Sequence, residues 1–390
     1  MTVPSPPRKL RVAVLYGGRS GEHEVSLQSA ASVLRNLDPD RFDAIPIAID
    51  KAGRWHLNDL SLIEKGARTL PVFRDAPMVL LPPNPPSDGG ATALVPMGTT
   101  TGALAMGPGL PSIDVVFPVM HGTLCEDGTI QGLLELADAA YVGCGVLASA
   151  VGMDKEVAKR LARDAGLPIV PYVTVHEGPW LRNPGPTAQA VAAELGYPCF
   201  VKPASSGSSV GVSKVKNATA LDNAIREALR YDRKVLIEQA IDAREIEVAV
   251  LEHSDPAEPP LTSIAGEINP ADKHEFYSYT AKYLDESGAT LRIPAAIDAA
   301  QTTEAQRLAA AAFQTLGCEG LARVDFFLDR RDGRFYFNEV NTLPGFTSVS
   351  MYPKLWEASG IPYRELLSRL IDLAIARAGR KRALIRDFSV

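Results

Sequence analysis

The chain has 390 residues, 46% hydrophobic and 22% charged, with a net charge of −6. That length allows two or three domains of about 100–200 residues each, and without a basic run neither nucleic acid nor an anionic membrane surface is an expected partner. No stretch approaches the roughly 20 apolar residues that cross a bilayer, and the N-terminal segment lacks the apolar core of a signal peptide, so a cytoplasmic location is expected.

Arg11 to Tyr16 is a short apolar run that predicts a buried strand. Gly17-Gly18-Arg19-Ser20-Gly21 follows, then helical apolar spacing from Glu24 to Leu37, then a second strand from Phe42 to Ile49. Strand, turn, helix and strand open a parallel α/β sheet. Residues 82–112, rich in Pro, Gly and Thr, predict a long surface loop. Ile113 to Met120 predicts another strand, ending at His121-Gly122, and Gly128-Thr129 opens a helix to about Ala137.

Around residue 146 the pattern becomes α+β. One amphipathic helix is expected from Ala150 to Ala165. Strands are expected at Leu167 to Val175, Cys199 to Pro203, Val210 to Val215, Lys234 to Ile241 and Glu245 to Glu252. Residues 269–288 are polar and aperiodic, and a long loop inside a compact domain is more often functional than not. A helix from Gln301 to Leu316 precedes a hairpin of Leu321 to Leu328 and Phe335 to Val340, and a helix from Tyr363 to Ala378 closes the chain. Cys125, Cys144, Cys199 and Cys318 have no metal-ligand spacing and are expected to be free buried thiols.

The hairpin is the sharpest local signal. Side chains alternate along a strand, so Arg323 and Asp325 share one face, and Glu339 and Asn341 share one face of the returning strand. A three-residue loop at 331–333 sets Asp325 opposite Glu339 and Arg323 opposite Asn341. Facing carboxylates repel, so something positive belongs between them. A divalent cation with oxygen ligands fits, Mg²⁺ with nucleotide phosphates being the usual case. The alternative is a solvated face on which Arg323 neutralises one acid.

Lys202 leads into Ala204-Ser205-Ser206-Gly207-Ser208-Ser209-Val210-Gly211. Such a small-residue loop lets backbone N–H groups approach a phosphate, with Lys202 as a point charge; a flexible hairpin tip is the alternative. It is not a Walker A loop. Lys155 is a second candidate phosphate lysine, otherwise an ordinary helix lysine. Glu22, after a glycine turn without the dinucleotide fingerprint, either meets an ammonium group or merely complements the helix dipole. His121 stands at the carboxyl end of a parallel strand, where open α/β sheets place ligands, but that position alone assigns it no role. Lys282 and Tyr283, near Tyr277 and Tyr279, lie in a loop that could fold over a substrate or simply dock on the surface.

In order along the chain come Gly17-Gly18-Arg19-Ser20-Gly21-Glu22-His23-Glu24-Val25-Ser26, His121-Gly122 with Glu126-Asp127-Gly128, and Met153-Asp154-Lys155. Val201-Lys202-Pro203, Gly207-Ser208-Ser209-Val210-Gly211 and Ala281-Lys282-Tyr283 follow. Arg323-Val324-Asp325 and Asn338-Glu339-Val340-Asn341-Thr342-Leu343-Pro344-Gly345-Phe346-Thr347 complete the set. Together they resemble the ATP-grasp superfamily and, within it, the D-alanine–D-alanine ligase family, from about residue 11 to about residue 372.

The resemblance implies an ATP-grasp fold behind a Rossmann-like parallel-sheet domain. Its divisions would be 1–146, 147–241, and 242–390 with the metal site and the 269–288 loop. Lys155, Lys202 and Lys282 would meet the phosphates, under a loop that includes Ser209. Glu238, Gln239, Ala240 and Ile241 would line the adenine and Glu245 the ribose, with Gln239 standing where many relatives carry a lysine. Asp325, Glu339 and Asn341 would hold two Mg²⁺ ions, for which Mn²⁺ can substitute.

Glu22, with His121 nearby, would bind the first D-alanine. Arg323 and the Gly345 N–H would face the developing oxyanion, with Asn341 also near substrate. Ser208 and Tyr283 would link to Glu22 and pin the closed loop, and Ser350 and Met351 would bind the second D-alanine's carboxylate. The implied reaction is ATP-dependent formation of an acyl-phosphate and then of D-alanyl-D-alanine, for peptidoglycan synthesis, in a homodimer. Rival readings are an ATP-grasp ligase with another acceptor and a non-catalytic nucleotide sensor; the missing glycine fingerprint disfavours a nicotinamide dehydrogenase.

Overall fold

Val12, Ala13, Val14, Leu15 and Tyr16 are all buried, as a strand covered on both faces of a parallel sheet must be. They lie in Leu10–Gly17, within a sheet ordered Trp55–Leu57, Phe42–Ile49, Leu10–Gly17, Val115–Pro118. Leu10–Gly17 is parallel to both of its neighbours, and Trp55–Leu57 closes one edge antiparallel. The helix His23–Asn36 connects the first two strands and buries Ser26, Leu27, Ala30, Ala31 and Leu34, a helical repeat facing the core. The computed structural model describes residues 8–61, 67–73, 75–85, 92–97, 110–270 and 289–385.

The chain forms two compact units, Met1–Val146 with Leu343–Val390, and Leu147–Thr342. In the first, the helix Tyr363–Arg382 buries Leu366, Leu367, Leu370, Ile371 and Ala374. The turn after Phe42–Ile49 is held by Asp50. Its carboxylate accepts from the Ala52 N–H at 2.8 Å, the Arg54 N–H at 2.9 Å and Arg54 Nε at 2.8 Å. Burial pushes the Asp50 pKa up, but its bonds to Arg54 and Ala52 outweigh this and hold it at about 2. An unfolded aspartate titrates near 3.9, roughly. A depressed carboxyl gives stability that is complete above the unfolded value and lost as pH falls through the folded one. Asp50 is therefore expected to contribute about 2 kcal/mol that disappears between roughly pH 4 and pH 2. Urea midpoints across that range should change less steeply in Asp50→Asn; an unchanged slope would exclude this contribution.

The second unit contains two antiparallel sheets. One is ordered Ser213–Val215, Cys199–Pro203, Lys234–Gln239, Tyr172–His176. Its core joins Val201, Val235 and Ile237 to Trp180, Leu221 and Ile225. The other is ordered Ala289–Arg292, Leu261–Pro270, Ala243–Leu251, Leu321–Asp329, Phe335–Asn341. The helix Ala299–Thr315 packs there through Ala305, Leu308, Ala309, Ala312 and Phe313, and starts at a capping box between Asp298 and Gln301. The four cysteines are free and buried, as expected. No helix among the described residues is long and apolar enough to cross a membrane.

Several expectations need correction. The single helix expected from Ala150 to Ala165 is two, Val146–Met153 and Lys155–Asp164. Asp154 breaks it: its backbone is extended and its side chain caps the N–H groups of Glu156 and Val157. The strand expected from Leu167 begins only at Tyr172, and the one expected from Val210 only at Ser213. The helix Met351–Ala358 was not expected; Pro353 masks its pattern yet sits in the first turn, where a missing N–H costs nothing.

Candidate active site

Arg323 stands opposite Asn341 and Asp325 opposite Glu339, as alternation predicts. The turn differs from expectation. Asp329 N–H donates to the Arg334 carbonyl at 3.0 Å, so four residues turn the chain, not three. A bulge between Asp325 and Phe326 takes back the extra residue and restores the register.

Arg323 is gripped by acids. Nε and Nη2 donate to the two oxygens of Asp325 at 2.8 and 2.7 Å, and Glu247 Oε2 lies 3.0 Å from Nε. Asn341 Nδ2 also donates to Asp325, at 2.9 Å. Burial opposes the guanidinium charge, but Asp325 and Glu247 outweigh it and raise the Arg323 pKa well above its ordinary value. Glu247 faces Asp325 across Ala243–Leu251 and Leu321–Asp329. Sequence reading missed it, although it repeats two residues after Glu245 on one strand face.

Lys155 begins its helix, and its Nζ donates to the Ser206 carbonyl at 2.8 Å and pairs with Glu339 at 3.2 Å. Lys202 Nζ lies 2.5 Å from Glu238 Oε2, while Lys159 Nζ lies 2.9 Å from Oε1. Burial works against the Glu238 charge, but Lys159 and Lys202 hold its pKa below the usual carboxylate range. Burial, with Lys202 close by, lowers the pKa of Lys159. Lys159 was also missed; the available signal is its spacing one helical turn after Lys155.

The serine loop is a tight turn, with Val210 N–H donating to the Gly207 carbonyl at 3.1 Å. Ser208 and Ser209 have φ of 53° and 57°, in the left-handed region that side-chain-bearing residues rarely adopt. A Cβ on Gly211 would sit 2.7 Å from the Tyr231 ring and 2.9 Å from Pro203, so only glycine lets the loop fold back here. Beyond Glu238, the N–H of Gln239 donates to Pro171 and that of Ala240 to Pro198, both at 3.1 Å. The Gln239 side chain donates to the Leu195 carbonyl at 3.3 Å. Ile241 follows this strand, and Glu245 lies on the next. Lys282 and Tyr283 fall outside the described residues.

A second group lies in the first unit. Glu22 is the N-cap residue of His23–Asn36, and Glu22, His121 and Glu126 place ligand atoms within 4.8 Å of one another. Both His121 nitrogens are engaged, Nε2 with Ser29 Oγ at 3.1 Å and Nδ1 with the Leu343 carbonyl at 3.3 Å. Each ring nitrogen thus has a hydrogen-bond partner. Burial lowers the His121 pKa, but Glu126 and Glu22 reverse this and leave it raised. The group suits an organic ammonium, which carboxylates can accept by hydrogen bonds.

Ser29 also accepts from the Phe346 N–H at 3.3 Å, and the Phe346 ring packs against Phe117, Tyr352 and Tyr363. Ser29 was missed, though it lies two helical turns after Glu22 on the same helix. At Gly345, a Cβ would come within 2.7 Å of Ser350 Oγ. Ser350 Oγ meets the Thr347 N–H at 3.0 Å and the Thr347 hydroxyl at 2.8 Å, and it precedes Met351, the first residue of Met351–Ala358. A helix N-terminus beside a hydroxyl can accept a carboxylate.

Residues 11–144 match the family described as D-ala D-ala ligase N-terminus, and residues 161–372 match D-ala D-ala ligase C-terminus. The chain is 57% identical over 382 residues to D-alanine–D-alanine ligase A of Bradyrhizobium diazoefficiens, covering 98% of this chain and 99% of that one. It is 45% identical to the D-alanine–D-alanine ligase of Legionella pneumophila, covering 98% and 99%. Among solved structures, the VanG D-Ala:D-Ser ligase of Enterococcus faecalis superposes with a TM-score of 0.79 at 34% identity, covering 94% and 100%. The D-alanine-D-alanine ligase of Coxiella burnetii gives 0.75 at 35% identity, covering 97% of each chain.

Proposed function

Because the chain belongs to the D-alanine–D-alanine ligase family, we propose that it joins two D-alanines at the expense of ATP, through a D-alanyl-phosphate. The observation that carries this reading is the facing set Arg323, Asp325, Glu339 and Asn341, with Lys155 paired to Glu339. It gathers cations for phosphates and hard oxygens for a metal in one place.

The first D-alanine's carboxylate attacks the γ-phosphate and ADP leaves, giving the acyl-phosphate; the second D-alanine's amine then attacks the acyl carbon and displaces phosphate. Both steps call for positioning and charge stabilisation more than for a strong acid or base. Glu22 takes the first substrate's ammonium beside His121. Arg323 and the Gly345 N–H face the oxyanion, and Asn341 lies near substrate as well as metal. Ser350 and the Met351 N–H take the second carboxylate. Lys155, Lys202 and Lys282 hold phosphates, with Ser208 and Ser209 in the covering loop and Tyr283 a further substrate-side residue. Glu238 and the strand through Gln239, Ala240 and Ile241 line the adenine, and Glu245 the ribose. With the Gln239 and Ala240 N–H groups already donating, the donor for the base is that of Ile241.

Asp325, Glu339 and Asn341 offer the hard oxygen donors that Mg²⁺ prefers, the two facing acids being paired with Arg323 and Lys155. Two Mg²⁺ ions there, or Mn²⁺ in their place, would neutralise charge on the transferred phosphate. Three functional domains, 1–146, 147–241 and 242–390, a homodimer, and cytoplasmic supply of the dipeptide to peptidoglycan belong to the same reading.

The test is release of ADP and phosphate with Mg²⁺ and D-alanine, expected to exceed release with L-alanine by orders of magnitude. Equal rates, or none, would refute it. The similarity to a D-Ala:D-Ser ligase makes D-serine, beside D-lactate, the informative competitor; D-alanine is expected to be preferred over D-lactate at neutral pH. In Glu22→Gln, the first D-alanine should bind about 10–100-fold more weakly, as when a charge-assisted hydrogen bond is lost, with ATP affinity nearly unchanged. Equal weakening of both would remove the ammonium role.

A further inference from the structure

One buried lysine has no part in the roles above. Lys159 is wholly inaccessible to solvent. Its Nζ lies 2.9 Å from Glu238 Oε1 and donates to the Phe337 carbonyl at 3.0 Å. The other Glu238 oxygen meets Lys202. Phe200 pairs with Glu238 and Lys202 with Leu236, so Lys202 and Glu238 are diagonal neighbours on adjacent strands, a spacing long side chains can bridge. One buried carboxylate thus carries two ammonium groups, and the trio has a net positive charge.

The two lysines are held differently. Lys159 is enclosed and tied to a backbone carbonyl. Lys202 keeps slight exposure, and besides Glu238 it makes a longer contact with Asn338 Oδ1 at 3.4 Å. Were Lys202 the sole counter-charge of Glu238, turning it to a phosphate would leave a buried carboxylate alone, which is costly. We infer that Lys159 is a positioning residue that stays as the counter-charge of Glu238 while Lys202 turns to a nucleotide phosphate. The inference rests on the nucleotide reading of this site.

Calorimetry of ADP and adenosine binding to the full chain, in buffer without divalent cations, tests it. Adenosine lacks phosphate, so the ratio of the two affinities isolates what the lysines give the phosphates. In Lys159→Met, Glu238 holds Lys202 alone, and the preference for ADP over adenosine should fall about 10–100-fold, the worth of one charge-assisted hydrogen bond. In Lys159→Met/Glu238→Gln no carboxylate retains Lys202, and most of that preference should return. An unchanged ratio in Lys159→Met, or no recovery in the double variant, would overturn the inference and leave Lys159 a structural residue. Should Lys159→Met not fold, Lys159→Gln, uncharged but able to donate to Phe337, decides by the same ratio. Failure of the unaltered protein to bind ADP would instead refute the nucleotide reading.

Discussion

Arg323→Lys is expected to lower the turnover of ligation by roughly 10²–10³, the usual loss when one preorganised oxyanion donor is removed. Lysine is the informative replacement because it keeps the charge. Arg323 lies among Asp325, Glu247 and Glu339, and an uncharged residue would leave carboxylates facing one another without a cation. Loss of folding would then mask loss of chemistry. The guanidinium spans Asp325 with two donors while Nε also faces Glu247. A fork of that kind is held in direction as well as in place, which an ammonium cannot match. Affinity for ADP should change little, because the lysines proposed to meet the nucleotide are other residues. Single-turnover ADP and dipeptide formation measures the effect. A rate within threefold of the unaltered protein would remove Arg323 from the reacting centre.

Arg377→Met is expected to cost the first unit about 3 kcal/mol, read from urea midpoints. Arg377 is a buried arginine on the last helix, Tyr363–Arg382. It donates to the carbonyls of Gly143 and Tyr141 and stands 4.4 Å from the Tyr141 ring centroid. Removing it leaves two buried acceptors without those donors, at roughly 1–3 kcal/mol each, and forfeits the ring contact. Methionine keeps much of the volume, so the cost measures polar loss and not a cavity. A change below about 1 kcal/mol would mean that the helix is fastened by its apolar face alone.

Local chemistry that repeats with strand or helix period was legible in the sequence. Alternation on the hairpin gave Asp325 opposite Glu339, and the apolar runs gave Leu10–Gly17 and Phe42–Ile49. The hairpin register is instructive, because the expected loop was one residue short and the bulge near Asp325 compensated. Buried faces fix register more firmly than turn length does. The order of family motifs likewise pointed to the ligase before any contact was visible.

What the sequence by itself determined about this protein is thus its parallel-sheet opening, its facing acids and its family. Tertiary structure alone decided which charges share a space. Glu247 reaches Arg323 from a strand about 76 residues away in sequence, and Lys159 reaches Glu238 from a helix about 79 residues away. Single-chain patterns report periods of two and 3.6 residues, not neighbours across a sheet. The same limit hid the bond that joins Ser29 to Phe346 and the helix Met351–Ala358 that follows Ser350. A burial pattern can be read from one segment; an ion pair needs both partners in place before its sign and strength mean anything.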